Sequence, residues 1–168
     1  TKLILSKRTK SPVIVITNGY DFEINKSCKL DTKFTLSHVG NLQDGRNPEF
    51  LWKTLHDLVQ NSIDFSKHFR LNLIGYISQA VLNSIRIYGL EAYTDYCGYV
   101  SHSEALEYQS RTQLLLLIEE NSKETKYIIP GKLFEYIASR RPIIAIGPDG
   151  SDIENIVTKS ASGNYFRY

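Results

Sequence analysis

A lysine and a glutamate three positions apart carry the most specific chemistry in this chain. Lys132 and Glu135 lie in the stretch Pro130 to Ser139, where Pro-Gly precedes an apolar-periodic segment and predicts the start of a helix. Residues three apart share one helix face, and the first turn of a helix presents unpaired N–H groups and partial positive charge. The lysine therefore suits a phosphate group. The glutamate, one turn further on, is placed to accept two hydroxyl groups.

This helix is followed directly by a predicted buried strand. Pro142 requires the helix to have ended, and the apolar run Ile143 to Ile146 is of strand length. The whole stretch, PGKLFEYIASRRPIIAIGP, resembles the nucleotide-binding signature in the C-terminal domain of GT-B glycosyltransferases. It is most similar to the bacterial family 4 (group 1) enzymes that build capsules and exopolysaccharides. The resemblance implies that Glu135 binds the ribose hydroxyls of a nucleotide-sugar and that Gly131, Lys132 and Leu133 belong to the same binding site.

The stretch departs from the family pattern at one position. The family's usual signature has two glutamates separated by seven residues, and the first contacts the donor sugar. With Glu135 as the second, Tyr127 stands at the first position, while Glu119, Glu120 and Glu124 are out of register. The resemblance therefore supports a nucleotide site and leaves open the sugar contact and the retaining or inverting outcome.

A glycine after an earlier strand predicts a second part of the site. Phe34 to Val39 is a strand candidate, and Gly40 directly after it would let a phosphate approach the backbone. Asn47 is expected to cap the helix that follows. The chain has no GxGxxG fingerprint, which disfavours a dinucleotide.

The resembling family places basic residues in this loop to clamp the diphosphate. Asn41 stands where the family commonly has an arginine, and Arg46 lies near the position of a later basic residue. We therefore expect Arg46 and Lys132 to stabilise the phosphates of the leaving group. The alternative for Arg46 is a solvated loop arginine.

Three further strands are expected from the sequence pattern. Phe69 to Tyr76 and Tyr93 to Val100 are followed by helical patterns, and the uninterrupted run Leu114 to Ile118 is typical of a central parallel strand. Strands alternating with helices predict an α/β fold with a Rossmann-like doubly wound parallel sheet. Ligands of such sheets lie beyond the carboxyl ends of the strands, so the loops there should converge on one crevice.

The resemblance also assigns the segment after the third of these strands to the nucleotide base. Gly98, Tyr99 and Val100 would meet the base through backbone groups. Ser101 to Glu104 fits a capping box for the next helix. His102 could reach the same pocket, with an exposed first-turn histidine as the alternative. His38 is expected to be a hydrogen-bonded strand histidine.

Composition narrows the class of protein. The 168 residues are 42% hydrophobic and 23% charged with a net charge of +2, and the basic residues are scattered, which argues against nucleic acid as a partner. The longest apolar run is far shorter than a membrane span, no signal peptide is visible, and two cysteines fit a cytoplasmic protein. The chain has no Met at all, which suggests a piece of a larger protein.

The sequence therefore predicts the donor-binding half of a glycosyltransferase in polysaccharide biosynthesis. Residues 1–30 would connect the domains and contribute a first strand, with Val13 to Thr17 as the strand and Asn18-Gly19 as its turn, and residues 31–168 would form the nucleotide-sugar-binding domain. No Asp-x-Asp pair occurs, so no metal and no separate cofactor are expected beyond a donor such as a UDP- or GDP-sugar.

The expected partners are an N-terminal acceptor-binding domain of the full-length chain and, for that full-length enzyme, the membrane surface. Alone, the domain should bind nucleotide without transferring sugar. A nucleotide-sugar 2-epimerase of the same fold and a non-catalytic doubly wound binding module are the alternatives.

Overall fold

The computed structural model describes residues 5–14, 16, 19 and 28–168. The predicted first strand at 13–17 and its turn at 18–19 include residues that lie outside that description.

Six strands form one parallel sheet with helices on both faces. The strands are β1 Phe34–Val39, β2 Phe69–Ile74, β3 Thr94–Gly98, β4 Leu114–Ile118, β5 Ile143–Gly147 and β6 Gly163–Arg167. The helices are α1 Glu49–Asn61, α2 Ile63–His68, α3 Gln79–Ile87, α4 His102–Arg111, α5 Gly131–Ala138 and α6 Asp152–Lys159. Strand order is β3-β2-β1-β4-β5-β6, and all five pairings are parallel. This confirms the predicted doubly wound α/β fold.

Strands β4 and β5 are apolar along their whole length because both of their faces are covered. One core contains Trp52 of α1 and Val81 of α3, and the other contains Leu133 of α5 and Val157 of α6. Residues of β4 alternate between the two, with Leu116 in the first and Leu115 in the second. A strand buried on both faces needs an unbroken apolar run rather than an alternating one, which is why β4 could be recognised from the sequence.

The ends of the helices match the sequence prediction in part. Ser101 and Glu104 form both hydrogen bonds of the predicted capping box, and Ser151 caps α6. The prediction that Asn47 caps α1 is wrong. The N-cap position is Pro48, with no side-chain bond, and the amide of Asn47 instead accepts from Trp52 Nε1 at 2.7 Å and donates to Ser84 Oγ at 2.9 Å. Asn47 thereby ties α1 to α3.

The direction in which successive strands are added to the sheet reverses between β1 and β4. From this pair the chain builds outward to β3 on one side and to β6 on the other. The register joins β1 and β4 through only two pairs, Leu36 with Leu114 and Ser37 with Leu115, although both strands continue beyond them. A crevice at the carboxyl ends of strands at such a switch point is the usual ligand position in open α/β sheets.

Among the described residues, no helix is long and apolar enough to cross a membrane.

Candidate functional site

Three glycines border the crevice at the carboxyl ends of β1, β2 and β3. Gly40 N donates to the carbonyl of Ile74 at 2.8 Å, and Gly75 N donates to the carbonyl of Gly98 at 2.7 Å, so the three strand ends are joined side by side. Gly40 and Gly75 have φ angles of +117° and +114°, a conformation that residues with a Cβ rarely adopt. A Cβ on Gly75 would lie 2.6 Å from the carbonyl oxygen of Gly40. Only glycine allows this close approach of two loops.

Lys132 extends from the first turn of α5 onto the loop after β1. Its Nζ lies 3.5 Å from the carbonyl of Val39 and 3.5 Å from His38 Nε2, and it would be 3.4 Å from a Cβ placed on Gly40. Burial lowers the pKa of Lys132 to about 7, with a further contribution from the nearby charge of Arg46 and a partial offset from Glu135. An ammonium in this position is poorly solvated, so an incoming anion would stabilise its charge strongly.

The imidazole of His38 contacts the ammonium of Lys132 from the sheet side. Its ring is completely buried in β1, and Nδ1 lies 3.0 Å from the carbonyl of Leu116 in β4. A carbonyl can only accept, so Nδ1 carries the proton and Nε2 is the unprotonated acceptor facing Lys132. Burial, and then the charge of Lys132, keep the pKa of His38 well below its usual value. The expectation of a hydrogen-bonded strand histidine is confirmed, and the contact with Lys132 adds to it.

Tyr136 fixes α5 to the end of β1. Its hydroxyl accepts from the backbone N–H of Val39 at 2.9 Å and lies 3.2 Å from the carbonyl of the same residue, to which it donates. The side chain is fully buried, and burial raises the pKa of the phenol far above its usual value. Since Lys132 lies one turn earlier on the same helix, this anchor also sets the position of its ammonium.

Glu135 lies on the same side of α5 as Lys132 and is held by residues of α4. Gln109 Nε2 donates to its Oε2 at 2.8 Å, and His102 Nε2 lies 3.4 Å from its Oε1. The Glu135 side chain is 25% exposed and that of His102 is 67% exposed. The carboxylate is therefore half-buried at the crevice rather than paired with a surface arginine, and His102 stands beside it.

Arg46 and Lys132 line one small pocket. A short 3-10 turn, Asp44–Arg46, carries the arginine, and the pocket continues to Glu120, Thr125 and Pro130. Its volume is about 40 Å³, which is room for about three water molecules at roughly 10–15 Å³ each. The structure brings the two predicted phosphate-binding cations to one place.

Three acidic residues, Glu119, Glu120 and Glu124, lie near the position expected for the sugar contact. Glu119 has a structural role. It is 7% exposed at the end of β4, where it accepts from Ser151 Oγ at 2.9 Å and from Tyr165 OH at 2.7 Å. Glu120 is exposed and borders the pocket of Arg46. Tyr127, in the family's position for a carboxylate, lies in a 3-10 turn and is half exposed.

Of the remaining predicted site residues, Gly98, Tyr99 and Gly131 lie at strand ends or exposed positions, whereas Val100 and Leu133 pack against the core. Gly98 ends β3 beside Gly75, Tyr99 is 92% exposed, and a Cβ on Gly131 would meet nothing within 4 Å. Val100 packs against the second core. Leu133 is fully buried, and its N–H donates to the carbonyl of Pro130 at 3.1 Å. Its side chain packs in the core, and its assignment to the binding site stays a prediction.

Sequence reasoning missed Gln109 and Tyr136 as parts of the site. Gln109 is the one buried residue of α4, and a polar residue on the inward side of a helix is a signal that could have been noticed. Tyr136 follows Glu135 directly, but nothing in the spacing shows that its hydroxyl reaches a strand 97 positions earlier. Among the described residues, no group of three or more His, Cys, Asp or Glu side chains is arranged to hold a metal ion.

Solved structures of glycosyltransferases share this fold. The pneumococcal O-GlcNAc transferase GtfA, crystallised with UDP and GlcNAc, aligns with a TM-score of 0.61 at 18% identity over 88% of this chain and 28% of its own. WaaG, a glycosyltransferase involved in lipopolysaccharide biosynthesis, aligns with a TM-score of 0.58 at 13% identity over 84% of this chain and 34% of its own. The chain thus spans about a third of the length of these two proteins.

An isolated domain matches over more of its length. The C-terminal domain of a group 1 family glycosyl transferase, LpcC from Francisella tularensis, aligns with a TM-score of 0.56 at 13% identity over 82% of this chain and 69% of that domain. At such identities the likeness is one of fold, and it confirms the predicted Rossmann-like doubly wound architecture. No protein-family model matches the chain, and no curated protein matches it.

Proposed function

We propose that this chain is the donor-binding domain of a GT-B glycosyltransferase and that it binds a nucleoside-diphosphate sugar. One observation carries the proposal. Lys132 and Glu135 lie one turn apart on α5, with the ammonium on the Gly40 loop and the carboxylate held at the mouth of the crevice. A cation and a fixed carboxylate at that spacing suit a phosphate and a ribose diol of the same ligand.

The phosphate end of the ligand would meet two cations and a helix start. Arg46 and Lys132 border one pocket, and α5 begins at Pro130 without a side-chain cap, which leaves its first N–H groups for the ligand. When the sugar leaves, negative charge develops on the nucleoside diphosphate, and fixed donors of this kind stabilise it. The transfer we propose is therefore metal-independent.

The rest of the reaction belongs to a longer protein. The chain spans about a third of GtfA and WaaG, and we propose that an N-terminal domain supplies the acceptor site, with a glycan or a lipid-linked sugar as acceptor. Polysaccharide biosynthesis at the cytoplasmic membrane surface is the setting that such acceptors imply. By itself this domain binds the donor and transfers nothing.

Calorimetric titration of the domain with UDP, GDP and ADP tests the proposal. GtfA was crystallised with UDP, so UDP is the first ligand to try. The informative variants are Glu135→Gln and Lys132→Met. Glu107→Gln, at an exposed position of α4, and Lys159→Met, at the far end of α6, make the same charge changes elsewhere and serve as matched controls.

We expect each site variant to weaken binding about tenfold or more, since a hydrogen bond to a charged group contributes roughly 1.5–3 kcal/mol. The controls should bind like the wild type, and the melting temperatures should change little because both site groups are partly exposed. Equal affinity of Glu135→Gln and Glu107→Gln would remove the ribose assignment. Absence of binding to all three nucleotides would overturn the proposed function.

A further inference from the structure

The contact between Gln109 and Glu135 joins two neighbouring helices at the crevice. Gln109 is 1% exposed on the inner side of α4, and its Nε2 donates to Glu135 Oε2 at 2.8 Å. The orientation of this amide follows from chemistry, since a carboxylate only accepts hydrogen bonds and must be faced by the NH₂ group. The carbonyl oxygen, Oε1, then points the other way.

That carbonyl oxygen is buried and has no hydrogen-bond partner among the described residues. A buried polar atom without a partner costs stability, and an apolar side chain of similar length would fill the same space without that cost. The neighbours Ala105 and Tyr108 on α4 do pack against the apolar core. The fold thus keeps a glutamine where packing favours an apolar residue, and what it gains is one hydrogen bond to Glu135.

The hydrogen bond leaves half of the carboxylate facing the crevice. Oε2 is held by Gln109, whereas Oε1 lies on the exposed side, 3.4 Å from His102 Nε2. A glutamate that is free to rotate loses side-chain entropy when it binds a ligand, and a glutamate that is already fixed does not. A carboxylate oxygen can accept two hydrogen bonds, and two vicinal hydroxyls can both donate to Oε1 only when the carboxylate is held in one defined orientation.

We propose that Gln109 is the positioning residue that orients Glu135 and thereby makes the site select a ribose over a 2′-deoxyribose. This inference rests on the proposed function, since it assumes that Glu135 receives the diol of a nucleoside diphosphate. Gln109 itself does not touch the ligand. It acts by holding the acceptor in the geometry that a cis-diol can use and that a single hydroxyl uses only in part.

The test compares two ligands on one variant. Gln109→Met keeps the length of the side chain, removes the amide donor and also removes the unpaired oxygen, so the domain should remain folded. Calorimetry would measure the dissociation constants of the tightest-binding ribonucleoside diphosphate and of its 2′-deoxy analogue. We expect the variant to bind the ribonucleotide about three- to tenfold more weakly and the deoxynucleotide within about twofold of the wild type. The preference for ribose therefore shrinks.

A double-mutant cycle separates positioning from general damage. If Gln109 acts through Glu135, Gln109→Met should add little to the loss already caused by Glu135→Gln. Gln109→Leu is the second variant should the methionine variant fail to fold, with the same expected change in preference. A purely structural contact between α4 and α5 would lower the melting temperature and leave the ribose preference unchanged, which would overturn the inference.

The outcomes for the two proposals differ. If Glu135→Gln weakens ribonucleotide binding and Gln109→Met leaves the ribose preference intact, the inference fails and the proposed function stands. If the wild type binds no nucleoside diphosphate, both fail. If it binds the ribose and deoxyribose forms equally, the inference and the ribose assignment fail and the binding of a nucleoside diphosphate stands.

Discussion

Nζ of Lys132 lies 3.5 Å from Nε2 of His38, the one ring nitrogen of that residue that can accept a hydrogen bond. The imidazole is buried and neutral, so it supports the ammonium without opposing it by charge. Burial and the charge of Arg46 nevertheless lower the pKa of Lys132 to about 7. The residue proposed to bind phosphate is therefore only partly charged at neutral pH until an anion arrives.

Nucleotide binding should accordingly take up a proton. An anion beside Lys132 raises its pKa, so between the free and the bound pKa of Lys132 the bound state holds more protons than the free state. Affinity should fall by up to about tenfold per pH unit between pH 7 and pH 9, after the phosphate itself has ionised near pH 6. Calorimetry at pH 8 in buffers of different ionisation enthalpy measures the proton uptake directly.

Lys132→Arg is the control for this prediction, because a guanidinium stays charged throughout the range. Its affinity should be nearly constant from pH 7 to pH 9. A wild-type affinity that is equally flat would mean that Lys132 is either fully charged in the free domain or remote from the phosphate.

The anchor between Tyr136 and Val39 predicts a combined loss of stability and binding. Tyr136→Phe removes a buried hydroxyl that bonds both the N–H and the carbonyl of Val39. The N–H of Val39 then loses its hydroxyl partner and its carbonyl keeps only the 3.5 Å contact from Lys132, which should lower the free energy of unfolding by about 1–3 kcal/mol. Binding should weaken as well, since α5 carries Lys132.

Urea unfolding and nucleotide titration of Tyr136→Phe check both effects. Tyr99→Phe, at a residue that is 92% exposed, is the matched control and should be stable. Wild-type stability in Tyr136→Phe would show that the hydroxyl is replaceable by water.

The sequence allowed the fold to be predicted because its strongest signals are local. β4 and β5 are continuous apolar runs, the capping box before α4 is contained in four residues, and Lys132 and Glu135 are related by helical spacing alone. The partners of those site residues could not be predicted. His38 precedes Lys132 by 94 positions and Gln109 precedes Glu135 by 26, and only strand order and helix packing bring them together.

The same limit applies to residues whose surroundings could not be known from the sequence. Asn47 has the composition and position of an N-cap, but Trp52 and Ser84 compete for its amide. Leu133 lies between two site residues in the sequence and faces the core because helical periodicity turns it inward. Glu119 could not be separated from Glu120 without knowing that Tyr165 and Ser151 reach it.

The loop glycines should differ sharply in their tolerance of a side chain. Alanine at Gly75 would place its Cβ 2.6 Å from the carbonyl oxygen of Gly40 in a backbone conformation with φ of +114°. Alanine at Gly98 meets open space and has φ of +65°. Gly98→Ala should therefore lower the free energy of unfolding by only about 1–2 kcal/mol, the cost of the left-handed conformation.

Gly75→Ala should cost clearly more, because a backbone clash adds about 1–3 kcal/mol to the conformational strain. It should also abolish nucleotide binding by displacing the Gly40 loop, whereas Gly98→Ala retains it. Thermal unfolding and nucleotide titration of Gly75→Ala and Gly98→Ala measure both differences. Equal destabilisation would mean that the two loops separate easily.

The buried carboxyl of Glu119 predicts a distinct pH dependence of stability. Burial raises its pKa above the usual 4.5, and the hydrogen bonds from Tyr165 and Ser151 offset this only in part. A carboxyl whose pKa is raised by folding contributes stability that is fully present below its unfolded pKa and is lost as the pH rises through its folded pKa. Glu119→Gln lacks this loss, so the free energy of unfolding of the variant, relative to that of the wild type, should rise between pH 4 and pH 7.5.

The amide of that variant can still be accommodated. Tyr165 OH also lies 3.0 Å from the carbonyl of Pro148, so it can donate there and accept from the new NH₂ group. We expect the free energy of unfolding of Glu119→Gln at pH 7.5 to stay within about 1 kcal/mol of the wild type. At pH 4 the variant should be the less stable of the two.

Urea unfolding of both proteins at the two pH values measures these differences. Glu120→Gln, at the adjacent exposed carboxylate, changes the same charge and should shift stability little at either pH. Because Glu119 ties the end of β4 to α6 and β6, a variant that is strongly destabilised at both pH values would show that the ionised carboxylate itself holds these elements together. In that case burial would not be the dominant influence on its titration.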